Sequence, residues 1–250
     1  MKLSFLHPHN MKKCQNICII TQEYPDDTNF GGIAIFYKNL VDDLLSRNFK
    51  VTVITRATSF KRKNYHTNNY SVYRIGFPFI FKYFTGRFLD KILFSLTCYM
   101  FFLRLSKKED FNLIESTETY FEGLFLNFNK NFSNKMVVQC HGSNNINVIP
   151  KGIFSLFHVI DFKLCFLLEK LFLKKSKNII VASKSVYETL INSGLDSNKI
   201  KILSHGVNTE KFIPKIKRSP SNIIKMLFVG KIQFMKGSDF LWKILDELKA

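Results

Sequence analysis

The sequence predicts an α/β fold, a parallel sheet flanked by helices, and three observations carry that expectation. Short apolar runs alternate along the chain with longer segments whose apolar residues recur at helical spacing. The short runs are apolar throughout rather than at every second residue, the mark of strands covered on both faces. At 250 residues, with 46% hydrophobic content and a mean hydropathy of −0.01, the chain can bury a large core and has neither a disordered nor a collagen-like composition.

The elements follow in order from Asn16. Asn16-Ile-Cys-Ile-Ile-Thr21 reads as a buried strand. After Gly31-Gly32, the residues Ile33, Tyr37, Leu40, Val41, Leu44 and Leu45 predict a helix that ends near Asn48, and Lys50-Val-Thr-Val-Ile-Thr55 is the next strand. Ser71-Val-Tyr-Arg-Ile75 is a third strand. An aromatic and basic stretch from Phe77 becomes helical by about Arg87 and runs to Lys108. Phe111-Asn-Leu-Ile-Glu115 is a strand, and a helix through Phe121, Leu124, Phe125 and Phe128 leads to the strand Met136-Val-Val-Gln-Cys140, which stops at His141-Gly142. A long helix from Phe154 to Lys174 precedes the strand Asn178-Ile-Ile-Val-Ala182. In the helix that follows, Ser185 and Glu188 have capping-box spacing. Lys199-Ile-Lys-Ile-Leu203 completes the series. Residues 1–13 read as a tail, 14–213 as one domain and 214–224, rich in Pro, Ser, Lys and Arg, as a linker. Within 225–250, Met226-Leu-Phe-Val229 predicts one more strand, and Phe240, Leu241, Ile244, Leu245 and Leu248 one more helix, the opening of a second, truncated domain.

With 37 Lys and Arg against 19 Asp and Glu, the net charge is +18, which suits nucleotide phosphates, acidic lipids or nucleic acid, and charge alone favours none of the three. No helix-turn-helix, zinc-finger or RNA-recognition signature accompanies the charge, so nucleic acid is not expected as a partner. The five cysteines, at 14, 18, 98, 140 and 165, supply no four-ligand metal spacing and suit a reducing compartment. His7, Pro8, His9 and Asn10 stand where a secretory signal needs an apolar core, and the apolar run Ile92–Leu105 is shorter than the roughly 20 residues of a spanning helix. A cytoplasmic chain is expected. Between Arg56 and Lys108, 11 Lys or Arg face one acid, Asp90, interleaved with Phe77, Phe79, Phe81, Tyr83, Phe84 and Phe88. Such a stretch suits peripheral contact with an anionic membrane, and equally a core of phenylalanines beneath a solvated lysine face.

In an open parallel sheet, ligands meet the loops at the carboxyl ends of the strands, so the residues just after each strand are the candidates for chemistry. Gly31-Gly32 opens a helix, where missing side chains let backbone amides approach an anion, although the pair is not the Gly-x-Gly-x-x-Gly fingerprint of a dinucleotide site. His141 stands at a strand's end, within reach of a sugar hydroxyl or of loop backbone. Ser204-His205-Gly206-Val207-Asn208, with Phe212 and Pro214, reads as a hinge. Gly230-Lys231 and Lys236-Gly237 combine two cations with a helix start, a grouping suited to a diphosphate.

These residues, with Ala182-Ser183-Lys184-Ser185-Val186-Tyr187 between them, resemble in order and spacing the motifs of family 4 glycosyltransferases over about residues 14–250. The resemblance implies a GT-B architecture of two Rossmann-like domains, the first for the acceptor and the second for the nucleotide sugar. It implies retaining transfer of a glycosyl group from a nucleotide sugar to a cell-surface polysaccharide or lipid-linked acceptor, with no cofactor and no metal, at the inner face of the cytoplasmic membrane. Carried over, Gly31, Gly32, Lys231 and Lys236 bind the donor diphosphate and His141 sits beside the transferred sugar. Lys231 replaces the family's usual arginine and Asn208 its usual aspartate, and the family's Glu-x7-Glu motif falls beyond residue 250. The alternative is a non-catalytic acceptor-binding module or a decayed fragment.

Overall fold

A computed structural model describes residues 16–25, 31–57, 64–76, 82–142, 156–213, 226–230, 232 and 236–248. The chain divides into two compact units, Met1–Gly206 and Val207–Ala250. The tail at 1–13, the linker at 214–224, Lys231 and the aromatic residues Phe77, Phe79 and Phe81 lie outside the described residues.

The first unit is an eight-stranded sheet. Its strands are β1 (Asn16–Thr21), β2 (Lys50–Arg56), β3 (Tyr65–His66), β4 (Tyr70–Ile75), β5 (Leu113–Thr117), β6 (Met136–Cys140), β7 (Ile179–Val181) and β8 (Ile200–Ile202). They lie in the order β3-β4-β2-β1-β5-β6-β7-β8, and every neighbouring pair is parallel except β3 with β4. Helices lie in the other connections: α1 (Gly32–Ser46), α2 (Lys82–Leu105), the short α3 (Leu124–Phe128) and α4 (Lys130–Ser133), α5 (Leu156–Lys175) and α6 (Lys184–Asn192), whereas β2 leads to its parallel neighbour β4 through β3 with no helix among the described residues.

Alternation along each strand divides the core between the two sheet faces. Ile17, Ile19, Val51, Val53 and Val72 pack with Tyr37, Leu40, Val41 and Leu44 of α1. The residues between them, Cys18, Ile20 and Ile54, join Ile114 and Val138 beneath Phe94, Cys98 and Phe102 of α2, and beneath Phe172 and Leu173 of α5. Each such side chain contributes about 1.5–3 kcal/mol when removed from water, so a sheet covered on both sides accounts for the unbroken apolar strands. Cys18, Cys98, Cys140 and Cys165 are unpaired and buried, and burial pushes all four thiols above their usual range, which leaves them unreactive.

Two connections explain themselves locally. Asn48 at φ 63° ends α1, its N–H bonded to Leu45 O, a left-handed position that asparagine tolerates. Between β5 and α3 the chain turns at Phe121 (φ 58°), and a Cβ on Gly123 would lie 2.0 Å from Met136 Cε and 2.9 Å from Ser116 Cβ. Only glycine lets this helix start so close to β5 and β6.

Two sequence expectations are corrected and one element is added. The two-residue β3 was not legible, because two exposed residues carry no apolar run. The cap of α6 is Ser183, whose Oγ accepts from Val186 N at 3.3 Å, rather than Ser185; Glu188 instead faces Lys184 across 3.6 Å on the exposed helix surface. In the second unit, residues 226–229 form no strand, and Leu227 is 87% exposed. A strand needs a neighbour to satisfy its backbone, and none is present among the described residues of that unit. Its one helix there is α7 (Ser238–Glu247), entered through Gly237 at φ 73°. At the beginning of the unit, Asn208 Oδ1 accepts from Glu210 N and Lys211 N, both at 3.0 Å, so the turn expected from Gly206-Val207-Asn208 is held by the asparagine side chain.

Candidate functional site

The carboxyl ends of β1, β5, β6 and β8 converge on the first turns of α1. Gly31 is the N-cap, extended at φ −89°, with no acid in the first turn, and no side chain among the described residues caps the N–H groups at the positive end of α1. Among the described residues, nothing lies within 4 Å of where a Cβ on Gly32 would stand. Beside Gly31 lies Glu23, whose Oε2 would be 2.5 Å from an added Cβ and whose Oε1 accepts from Tyr120 OH at 3.2 Å. The loop that carries Glu23 is pinned by Arg74 Nη2 donating to Pro25 O at 2.7 Å and Thr21 Oγ1 donating to Glu23 O at 3.2 Å.

One turn into α1, Phe36 and Tyr37 meet His141. Phe36 lies edge-on to the imidazole at 4.8 Å between ring centroids, Tyr37 at 5.7 Å and His205 at 5.5 Å. Phe36 also packs on His205 at 4.5 Å, so two histidines from two strand ends share one aromatic wall. Burial first, and His205 second, push His141 down to about 4, which keeps its ring neutral at physiological pH. Its Nε2 is buried and has no hydrogen-bond partner among the described residues. A neutral imidazole with an open ring nitrogen can donate to or accept from a substrate hydroxyl and carries no charge to be desolvated.

Behind His141 stands a group of carboxyls that the sequence reading missed. Glu118 Oε1 accepts from His141 N at 2.9 Å, while its Oε2 is buried without a partner among the described residues. Glu122 accepts from Gln22 N at 2.8 Å and from Thr117 Oγ1 at 2.6 Å, tying the ends of β1 and β5 together. Burial is the largest cause in each case and raises Glu118 to about 8, Glu122 to about 7 and Glu115, beside Tyr37, to about 7. Lys91 of α2 donates to Thr119 O at 2.8 Å and lies over the Phe121 ring at 4.6 Å; burial lowers its pKa, and nearby Glu169 and Glu122 oppose that shift. The signal for these carboxyls was present in Glu115, Glu118 and Glu122, three acids within eight positions at the end of an otherwise apolar strand.

The structure therefore brings Gly31, Gly32 and His141 together, and adds Glu118, Phe36 and His205, the last expected only as part of a hinge. Lys236 is exposed in the second unit, and Lys231 is not among the described residues. Among the described residues, no three His, Cys, Asp or Glu side chains are placed to hold a metal, and no helix is long and apolar enough to cross a membrane.

Residues 30–211 match the profile of Glycosyltransferase Family 4. An uncharacterized glycosyltransferase of Methanocaldococcus jannaschii is 25% identical over 224 residues, covering 85% of this chain and 54% of the relative. Sucrose-phosphate synthase from Thermosynechococcus elongatus superposes with a TM-score of 0.62 at 18% identity, over 80% of this chain and 50% of that one. A shorter structure of the same enzyme gives 0.53 at 16% identity and is covered over 92% of its length, against 79% of this chain. The chain spans about half the length of the curated relative and of the longer synthase chain. The parallel sheet with its helices is the fold of GT-B glycosyltransferases.

Proposed function

The chain belongs to Glycosyltransferase Family 4, and from that membership we propose that it acts in retaining transfer of a sugar from a nucleoside diphosphate donor to a cell-surface polysaccharide or lipid-linked acceptor. In this reading residues 14–213 form the acceptor side and residues 225–250 open the donor side. Transfer needs no metal or other cofactor and takes place in the cytoplasm, at or near the inner membrane face.

The observation that carries the reading is the pairing of the α1 terminus at Gly31-Gly32, capped by no described side chain, with a neutral, half-satisfied His141 one helical turn away. The first suits the diphosphate, since amide N–H groups and the helix dipole favour an anion without the cost of desolvating a side-chain cation. The second suits a hydroxyl of the sugar that is transferred. Negative charge grows on the diphosphate as the bond from the anomeric carbon to its oxygen breaks, so groups fixed at that position lower the barrier more than they tighten substrate binding. Lys231 and Lys236 are assigned to the same diphosphate by the family pattern, Lys231 supplying charge without the bidentate fork of an arginine.

Titration of the protein with a panel of nucleoside diphosphate sugars, in the presence of a chelator, tests this. Binding should persist without metal, and Lys236→Ala should weaken it at least about tenfold, the worth of one charge-assisted hydrogen bond. Equal affinity in wild type and variant would remove Lys236 from the donor site.

A further inference from the structure

Helices α2 and α5 pack side by side, linked where Asp161 of α5 accepts from Arg87 N and Phe88 N of α2 at 3.0 and 2.8 Å. Their inner faces fill the core. Their outer faces would be expected to be polar, and they are not. On α2, Leu89, Leu93, Leu96 and Met100 are exposed at spacings of four, three and four. On α5, Ile160, Leu164, Leu167 and Leu171 repeat the same spacings, with Leu93 49% and Leu167 60% exposed. Such spacings place each set on one helical stripe.

The charges of the two helices are sorted as well. Every acid is withdrawn or engaged: Asp90 is buried on Arg56, Glu169 is buried, and Asp161 serves the α2 backbone. Lys91 is buried on Thr119 O, and the other described cations of the two helices reach solvent. Lys163, the half-buried Lys170 and Lys174 form a second stripe on α5, seven and four residues apart, beside the leucine stripe, and Arg104 and Lys175 are exposed at the helix ends. We propose that this two-helix face is a docking surface for an anionic lipid bilayer, lying in the headgroup plane with the leucines among acyl chains and the lysines on lipid phosphates.

Charge complementarity selects this occupant. A second copy would bring an equally basic rim against this one, in a chain of net charge +18, whereas an anionic bilayer supplies the countercharge along with the apolar phase. Of the aromatic run to which composition pointed, Phe88 packs partly buried against the core, and Phe77, Phe79 and Phe81 lie outside the described residues. The inference stands apart from the transfer chemistry. Vesicle binding is read with no donor or acceptor present, so its failure would leave the donor titration untouched.

The test is co-sedimentation of the 250-residue chain with phosphatidylglycerol–phosphatidylcholine vesicles and with phosphatidylcholine alone. Binding should require phosphatidylglycerol. Each lysine near an anionic surface is worth about fivefold, so Lys163→Gln/Lys170→Gln should lose about twenty-fivefold. Lys38→Gln/Lys184→Gln, with the same charge change on α1 and α6, should lose less than about fivefold. Leu93→Gln/Leu167→Gln should lose at least about tenfold while unfolding at the wild-type temperature, since both leucines are already in water. Should that variant unfold early, the lysine pairs still decide. Equal losses in the two lysine pairs, binding unaffected in a folded leucine variant, or a dimer dissolved by the leucine changes in a chain that ignores vesicles would each overturn the proposal.

Discussion

Glu118 places a carboxyl, pushed up to about 8 by burial, directly under the backbone of His141. Glu115 and Glu122 are raised to about 7 for the same reason. A carboxyl whose folded pKa lies above its ordinary 4.5 binds protons more tightly folded than unfolded, so its stabilisation is complete below about pH 4.5 and is lost as pH rises through 7 to 8. His141 acts in the opposite sense. Lowered from 6.5 to about 4, it contributes stability above pH 6.5 that is lost as pH falls through 4. Between pH 4.5 and 6.5 the three carboxyls lose stability faster than the one histidine regains it, so these groups together place the stability maximum near pH 4.5, with a fall that continues to about pH 8. Glu118→Gln keeps an acceptor for His141 N and removes one ionisation, so its unfolding free energy should fall less steeply between about pH 5 and 8, by up to about 1.4 kcal/mol per pH unit. A variant curve parallel to that of wild type would show that Glu118 is ionised in the fold without cost. At this scale the sequence was half legible. His141 and Gly31-Gly32 follow from their place after a strand, whereas Glu118 and Glu122 emerge only when the fold buries them together.

The elements were the most legible level, since an unbroken apolar run between helical repeats admits few readings other than a buried parallel strand. What escaped were features whose cause lies in tertiary contact: the exposed pair β3, the choice of Ser183 over Ser185 as cap, and the strand expected at 226–229, which has the right residues and no described neighbour to pair with. The joint between β2 and α2 was equally hidden. Arg56 at the end of β2 is 3% exposed and grips Asp90 of α2 through both guanidinium Nη atoms, with Nη1 to Oδ2 at 2.7 Å, while the Phe94 ring lies 5.2 Å beneath the guanidinium. Asp90→Ala would leave that cation buried without its carboxylate and should cost about 3–5 kcal/mol in denaturant unfolding. A loss below about 1 kcal/mol, the range of an exposed pair, would mean that water reaches the joint.

At the scale of the whole molecule, three surfaces of one basic chain divide the work: the strand ends that collect Gly31, Gly32 and His141, the two-helix apolar face, and the second unit with Lys236. The GT-B fold makes sense of the first, because a parallel sheet gathers its loops at one edge and leaves its helices to cover the faces. Net charge of +18 suits both the proposed anionic donor and the proposed anionic surface. The measurement that tests the account most directly is release of nucleoside diphosphate from nucleotide sugars, with lipid-linked and polysaccharide acceptors and a chelator present, by wild type and by Gly32→Ala. The methyl group meets none of the described residues at the first helical position, so the variant should fold as well as wild type or better, by up to about 1 kcal/mol. It also covers the N–H groups assigned to the donor diphosphate, so release should fall at least about tenfold, the share of one such donor. Release that Gly32→Ala leaves unchanged would contradict the placement of the donor at the start of α1.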